Sequence, residues 1–97
     1  MTNFTNLFQA LSDPTRREII RLLKESDMTP SDLLTKIPVS QPTLSHHLDI
    51  LKRADLIEGK KQGQFIRYFI NMSVFQMAVD YLMEFGNNMK GEKQWNG

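Results

Sequence analysis

Two adjacent histidines, His46 and His47, sit inside the stretch "PVSQPTLSHHLDILKRADLI", residues 38–57. Imidazoles serve as metal ligands, proton shuttles and hydrogen-bond donors, so this pair is the first candidate for chemistry. A metal held by both fails on spacing. Neighbours on a helix diverge by ~100°, whereas helical ligand pairs stand at i, i+3 or i, i+4. The chain has no other histidine and no cysteine, which removes thiolate sites, disulfides and cysteine nucleophiles together. Asp80 and Glu84 stand at i, i+4 but fit a solvated helix face. There is no nucleophile–base–orienter set and no phosphate-cradling glycine loop, which argues against an enzyme. No catalytic residue, metal or cofactor is expected.

A different chemistry fits the same stretch. On a helical wheel Leu44, Leu48 and Leu51 share one arc, with His47 on its flank, where a packed histidine bonded to backbone is expected. The solvent face of the first two turns is Gln41, Pro42, Thr43, Ser45 and His46, with no carboxylate until Asp49. Glutamine can pair with adenine N7 and N6, hydroxyls can donate or accept, and imidazole can donate to guanine or phosphate. Ser40 caps the start, and the free N–H groups there favour a phosphate. The face therefore suits the major groove of duplex DNA.

The net charge of +1 hides a local excess. Lys52, Arg53, Lys60, Lys61 and Arg67 outweigh Asp55 and Glu58 in the segment after this helix. Lys60, Lys61 and Gln62 fall at the tip of an expected hairpin, placed for phosphate or minor-groove contact. Arg16 and Arg17 either touch the DNA backbone or pair with Asp13 and Glu18.

The elements that position these residues follow from period and punctuation. Phe4, Leu7, Phe8 and Leu11 form one stripe of a short helix. Asp13 then caps, with Pro14 at the first position of, a helix over about 14–25 whose inner face is Ile19, Ile20, Leu22 and Leu23. Thr29, Pro30 and Asp32 repeat the start signal for a third helix bearing Leu33, Leu34 and Ile37, ended by Pro38. The fourth runs about 41–54, joined through the tight "IPVS" connection. The period then falls to 2 in "LIEGKK" and "QFIRYFI", separated by Gln62–Gly63. Ile66, Tyr68 and Ile70 are expected on one side of that hairpin, and Phe65, Arg67 and Phe69 on the other. Asn71 or Ser73 caps a last helix of about fifteen residues. The order is mostly α with a β-hairpin wing, a winged helix-turn-helix. Residues 1–89 are expected to form one DNA-binding and dimerisation domain, with 90–97 a disordered tail.

The last helix is too apolar for one-sided packing. Val74, Met77, Ala78, Tyr81, Leu82 and Phe85 make one stripe, and Phe75, Val79 and Met83 lie off it. A helix apolar nearly all round must be covered on more than one side. A two-fold homodimer is the expected solution, with Phe4, Leu7, Phe8 and Leu11 joining Phe75, Val79, Leu82 and Met83 at the interface. It would set two reading helices about 34 Å apart on an inverted repeat. A competing reading is a protein-interaction adaptor using Phe65, Phe69 and Met89. No apolar run nears the ~18 residues a membrane span needs. "MTNFTNLFQALSDP" has no signal-like pattern, so a cytoplasmic protein without membrane insertion is expected.

Taken together, "ALSDPTRREIIRLL" and "VSQPTLSHHLDILKRADLIEGKKQGQFIRYFIN" resemble the ArsR/SmtB family of bacterial winged-helix repressors over about residues 7–74. The "SHHL" form looks most like the metal-independent, SdpR-type autorepressor branch. The resemblance implies a dimeric DNA-binding repressor, groove contacts at Gln41, Pro42, Thr43, Ser45 and His46, and a wing at Lys60, Lys61, Gln62 and Gln64. Metal-sensing members carry Cys-x-Cys ligands in the third helix or Asp/His ligands in the last. Here those helices read "SDLLTKI" and "VFQMAVDYLMEFGNN", so metal-regulated release is not implied. What releases DNA stays open: a protein effector that sequesters the repressor, a small ligand, or concentration alone.

Overall fold

The computed structural model describes residues 3–89, with side chains to Gly86. The expected tail at 90–97 and the side chain of Met89 lie outside the described residues. The element order is α1 (Phe4–Leu11), α2 (Pro14–Glu25), α3 (Pro30–Leu34), α4 (Gln41–Arg53), β1 (Ile57–Gln62), β2 (Phe65–Ile70) and α5 (Met72–Met89).

Each of the first four helices starts where a short polar side chain replaces a missing backbone partner. Asn3 accepts from Asn6 N, and Asp13 from Arg16 N. Thr29 and Asp32 close a reciprocal capping box at the start of α3. The third helix is shorter than its apolar residues suggested. The Thr35 hydroxyl and N–H both donate to the Asp32 carbonyl, at 2.6 and 3.2 Å, and Lys36 N donates to Leu33 O at 2.9 Å. These i→i+3 bonds tighten the chain out of α-geometry, so Ile37 reaches the core from a turn.

A left-handed residue, Asp55 at φ +62°, ends α4. Leu56 N donates to Leu51 O at 3.1 Å and Asp55 N to Lys52 O at 3.0 Å. That bond pair is the Schellman motif, and its apolar clasp is Leu51 against Leu56, both fully buried. The turn aims the chain straight into β1.

The hairpin is antiparallel, with Ile57 opposite Ile70 and Gln62 opposite Phe65. Gln62 thus belongs to the strand, and the loop is Gly63–Gln64, one residue later than the sequence suggested. Positive φ occurs at Gly63 (+63°) and not at Gln64, the pattern of a type II′ turn, which matches strand twist. Beyond this hairpin, Met28 pairs with Tyr68 through bonds of 2.8 and 3.1 Å. The segment after α2 that read only as a break therefore also anchors the wing.

The core lies between α1–α4 and the root of the hairpin. Leu7, Ile19, Leu33, Leu44, Leu51, Leu56 and Ile57 are its largest fully buried side chains, and no polar side chain is buried among the described residues. The last helix begins at Met72, so Asn71 is its cap, and Asn71 Oδ1 accepts from the Ser73 hydroxyl at 2.8 Å. Val74 and Ala78 reach the core, whereas the outer turns run free of it.

Candidate nucleic-acid interface

The reading helix presents what its wheel implied. Leu44, Leu48 and Leu51 are buried, and Gln41, Pro42, Thr43, Ser45 and His46 are exposed together on the opposite side of the first two turns. Ser40 holds the end: its Oγ accepts from Thr43 N at 3.3 Å and bonds Thr43 Oγ1 at 3.0 Å. Asp49, the first carboxylate on that side, is paired to Arg53 at 2.8 Å. The exposed stub therefore offers an amide, hydroxyls and an imidazole with little negative charge to repel phosphate.

The two histidines have separate fates. His46 is exposed. The side chain of His47 is only 13% exposed, and its Nδ1 faces Arg16 Nη1 at 3.1 Å. A guanidinium only donates, so Nδ1 accepts and the imidazole is neutral with its proton on Nε2. His47 is thus a packed residue, but its partner is an arginine side chain rather than backbone. Burial holds its pKa below the ordinary histidine value; Asp13, 3.9 Å away, pulls the other way, and Arg16 and His46 add to the lowering. Asp13 itself is pushed up by burial but held below the carboxylate norm overall, chiefly by the Arg16 N–H and charge.

Neither Arg16 nor Arg17 forms the expected side-chain ion pair with Asp13 or Glu18. Their guanidinium groups turn back onto α1. Arg16 Nε donates to Ala10 O at 2.7 Å, and Arg17 Nη1 to Leu11 O at 2.9 Å. They neutralise the orphan carbonyls at the negative end of that helix. Glu18 pairs instead with Arg21, which holds the Glu18 carboxyl low. No residue-type pattern marks a bond to a backbone carbonyl six residues away, so these two contacts are not legible in the sequence.

On the wing, Lys60, Lys61, Gln62 and Gln64 are exposed. Arg67 is half-buried: its Nε donates to Gln62 Oε1 at 2.9 Å and its Nη1 to Asp27 O at 3.1 Å. It braces the wing as well as charging it. Tyr68 is buried, whereas Ile66, on the same strand side, is 42% exposed because the tip projects past the body.

The expected interface residues divide. Leu7 is fully buried in its own core and has no surface left for a partner. Leu11 and Phe75 are half-buried against that core. The Phe4 ring stacks on Tyr81 at 4.3 Å, with Phe8 6.4 Å from Tyr81, which joins α1 to α5. Phe8, Val79, Leu82 and Met83 are exposed, the last three by more than half. Among the described residues no group of three His, Cys, Asp or Glu could hold a metal ion. No described helix is long and apolar enough to cross a membrane.

A helix-turn-helix formed by α3 and α4, followed by a β-hairpin wing, is the winged-helix architecture that many DNA-binding regulators of transcription share. The family model for bacterial regulatory proteins of the arsR family matches residues 13–59. Transcriptional repressor SdpR of Bacillus subtilis (strain 168) is 46% identical over 82 residues, 84% of this chain and 91% of that protein. The chain belongs to the ArsR family. The arsenical resistance operon repressor of Escherichia coli (strain K12) is 40% identical over 79 residues, covering 80% and 68% of the two chains. The solved ArsR-like transcriptional regulator from Rhodococcus sp. RHA1 superposes with a TM-score of 0.82 at 34% identity, covering 87% of this chain and 77% of its own.

Proposed function

We propose that this protein is a cytoplasmic homodimeric repressor that binds an inverted-repeat operator and needs no metal to release it. The observation that carries the reading is the exposed, carboxylate-poor face of α4 beside the cationic wing tip. Gln41, Thr43, Ser45 and His46 read base edges; Ser40, with the helix N-terminus, and Lys60, Lys61, Gln64 and Arg67 hold phosphate or minor groove. The exposed apolar residues of α1 and α5 supply the two-fold contact. Repression fits the curated relatives, which are named as repressors. Metal independence rests on composition: the chain has no cysteine, and its two histidines are neighbours on one helix.

The test is selection of bound fragments from random duplex DNA, followed by a footprint on the gene's own upstream region. A protected inverted repeat with centres about 34 Å apart is expected. Ser45→Ala and His46→Ala should each cost about 1–3 kcal/mol on that site, and adding zinc should leave affinity unchanged. If both variants bind as the parent does, the groove assignment is wrong.

A further inference from the structure

We propose that Arg16 is a positioning residue for DNA reading, acting through His47 to fix the roll of α4 against the C-terminal end of α1. The inference rests on the DNA-reading function above. Arg16 belongs to the first turn of α2, yet its guanidinium lies between two other helices. Nε donates to Ala10 O at 2.7 Å, Nη2 to Gln9 O at 3.4 Å and Nη1 to His47 Nδ1 at 3.1 Å. Its backbone N–H is itself held by Asp13 Oδ2 at 3.0 Å. The α1 carbonyls are fixed helix-end acceptors, and the guanidinium is a rigid planar fork. One plate thus joins α1 to α4.

Among the described residues this is the one side-chain hydrogen bond from α4 to another element. Leu44, Leu48 and Leu51 set the depth of the helix, but apolar burial is non-directional, so the guanidinium–imidazole bond is the directional reference for its roll. His47 directly follows Ser45 and His46, the residues whose direction matters. Side-chain atoms stand ~5–6 Å from a helix axis. A roll of about 10° therefore moves a reading atom by about 1 Å, enough to spoil a hydrogen bond. Through the stacking of Phe4 on Tyr81, the same plate also references α4 to the dimer face on α5.

A phosphate ligand and a positioning residue differ in what their loss does. Full-length Arg16→Ala, His47→Ala, the double variant and His47→Asn are compared on the selected operator and on unrelated duplex, across a salt series, at a temperature where circular dichroism shows each folded. Asparagine places an acceptor oxygen where Nδ1 stood. We expect Arg16→Ala and His47→Ala each to weaken operator binding on the order of tenfold, the double variant to weaken it no further, and His47→Asn to bind like the parent. Affinity for unrelated duplex and the salt slope should not move. A slope reduced by about 0.9 for Arg16→Ala would make it a phosphate contact. Parental operator affinity in both alanine variants, or additive losses, would overturn the relay. Should Arg16→Ala not fold, His47→Ala against His47→Asn decides, and equal binding by those two overturns it. A parent that selects no fragment would instead remove the function on which the relay depends.

Discussion

The helix-turn-helix body and the outer half of α5 are built from the same kinds of residue and end in opposite states. In the body Leu33, Leu44, Leu51 and Leu56 are at most 1% exposed. On α5, Val79, Leu82, Met83 and Phe85 are all more than half exposed. Side-chain type is alike, so the difference lies in what stands opposite. The body's leucines pack into one shared core, whereas on the outer turns of α5 Tyr81 meets Phe4 and Phe8 on one flank. This exposed apolar face is the one that the proposed dimer would cover.

The largest expected effect breaks that comparison or confirms it. Leu51→Ala removes a fully buried side chain and should destabilise the protein by about 2–5 kcal/mol. Leu82→Ala, at a concentration low enough to separate any dimer, should stay within about 0.5 kcal/mol, as a surface change does. Urea melts of both at high and low protein concentration supply the measurement. A Leu82→Ala penalty that matches Leu51→Ala when dilute would mean that α5 is already covered within one chain.

The next effect asks how firmly the wing belongs to the body. A Cβ on Gly59 would stand 2.8 Å from Ile66 Cγ2 and 3.0 Å from Tyr68 Cε1. Ile66 is at the exposed tip and can shift, but Tyr68 is buried and tied by its backbone to Met28. Gly59→Ala should therefore cost about 1–3 kcal/mol through overpacking. It should also loosen the Met28–Tyr68 pairing, seen as faster amide exchange at Met28 N–H and Tyr68 N–H. Unchanged stability and exchange would show that the wing floats free of the body.

The same contrast explains what could be read from the sequence. Caps and periods are local, and Asp13, Thr29 and Ser40 each mark a helix start within the next three residues. The leucine arc of α4 and the exposed face opposite are likewise settled by 3.6-residue spacing. What escaped is long-range or backbone-directed. The Met28–Tyr68 bridge joins segments forty residues apart. Arg16 and Arg17 look like DNA ligands by charge alone, and their carbonyl partners carry no residue signature. Leu7 shared its stripe with Phe4, Phe8 and Leu11, and only packing separates the buried member from the others.

A smaller effect concerns the junction between the reading helix and the wing. Asp55 holds a left-handed conformation that glycine adopts without penalty. Asp55→Gly should stabilise the protein by up to about 1 kcal/mol, raising Tm by several degrees. Lower stability would show that the Asp55 side chain itself supports the turn.

The smallest effect is a pH dependence that belongs to the packed body. Burial keeps His47 below its ordinary pKa, with Asp13 opposing and Arg16 and His46 assisting. Because the folded value lies under the unfolded value of about 6.5, the unfolded chain binds the proton first. The stability that neutral His47 contributes is present above pH ~6.5 and is lost as pH falls from there toward the folded pKa. Asp13, Glu18 and Asp32 have lowered pKa values, so their contributions disappear only as pH falls below about 4. Urea melts between pH 7.5 and 5.5 therefore separate His47 from these carboxylates. The parent should lose stability across that window, and His47→Asn, which keeps the acceptor but cannot take the proton, should lose less. An equal loss in both would show that His47 is not the titrating group and leave Arg16 without a neutral partner to hold.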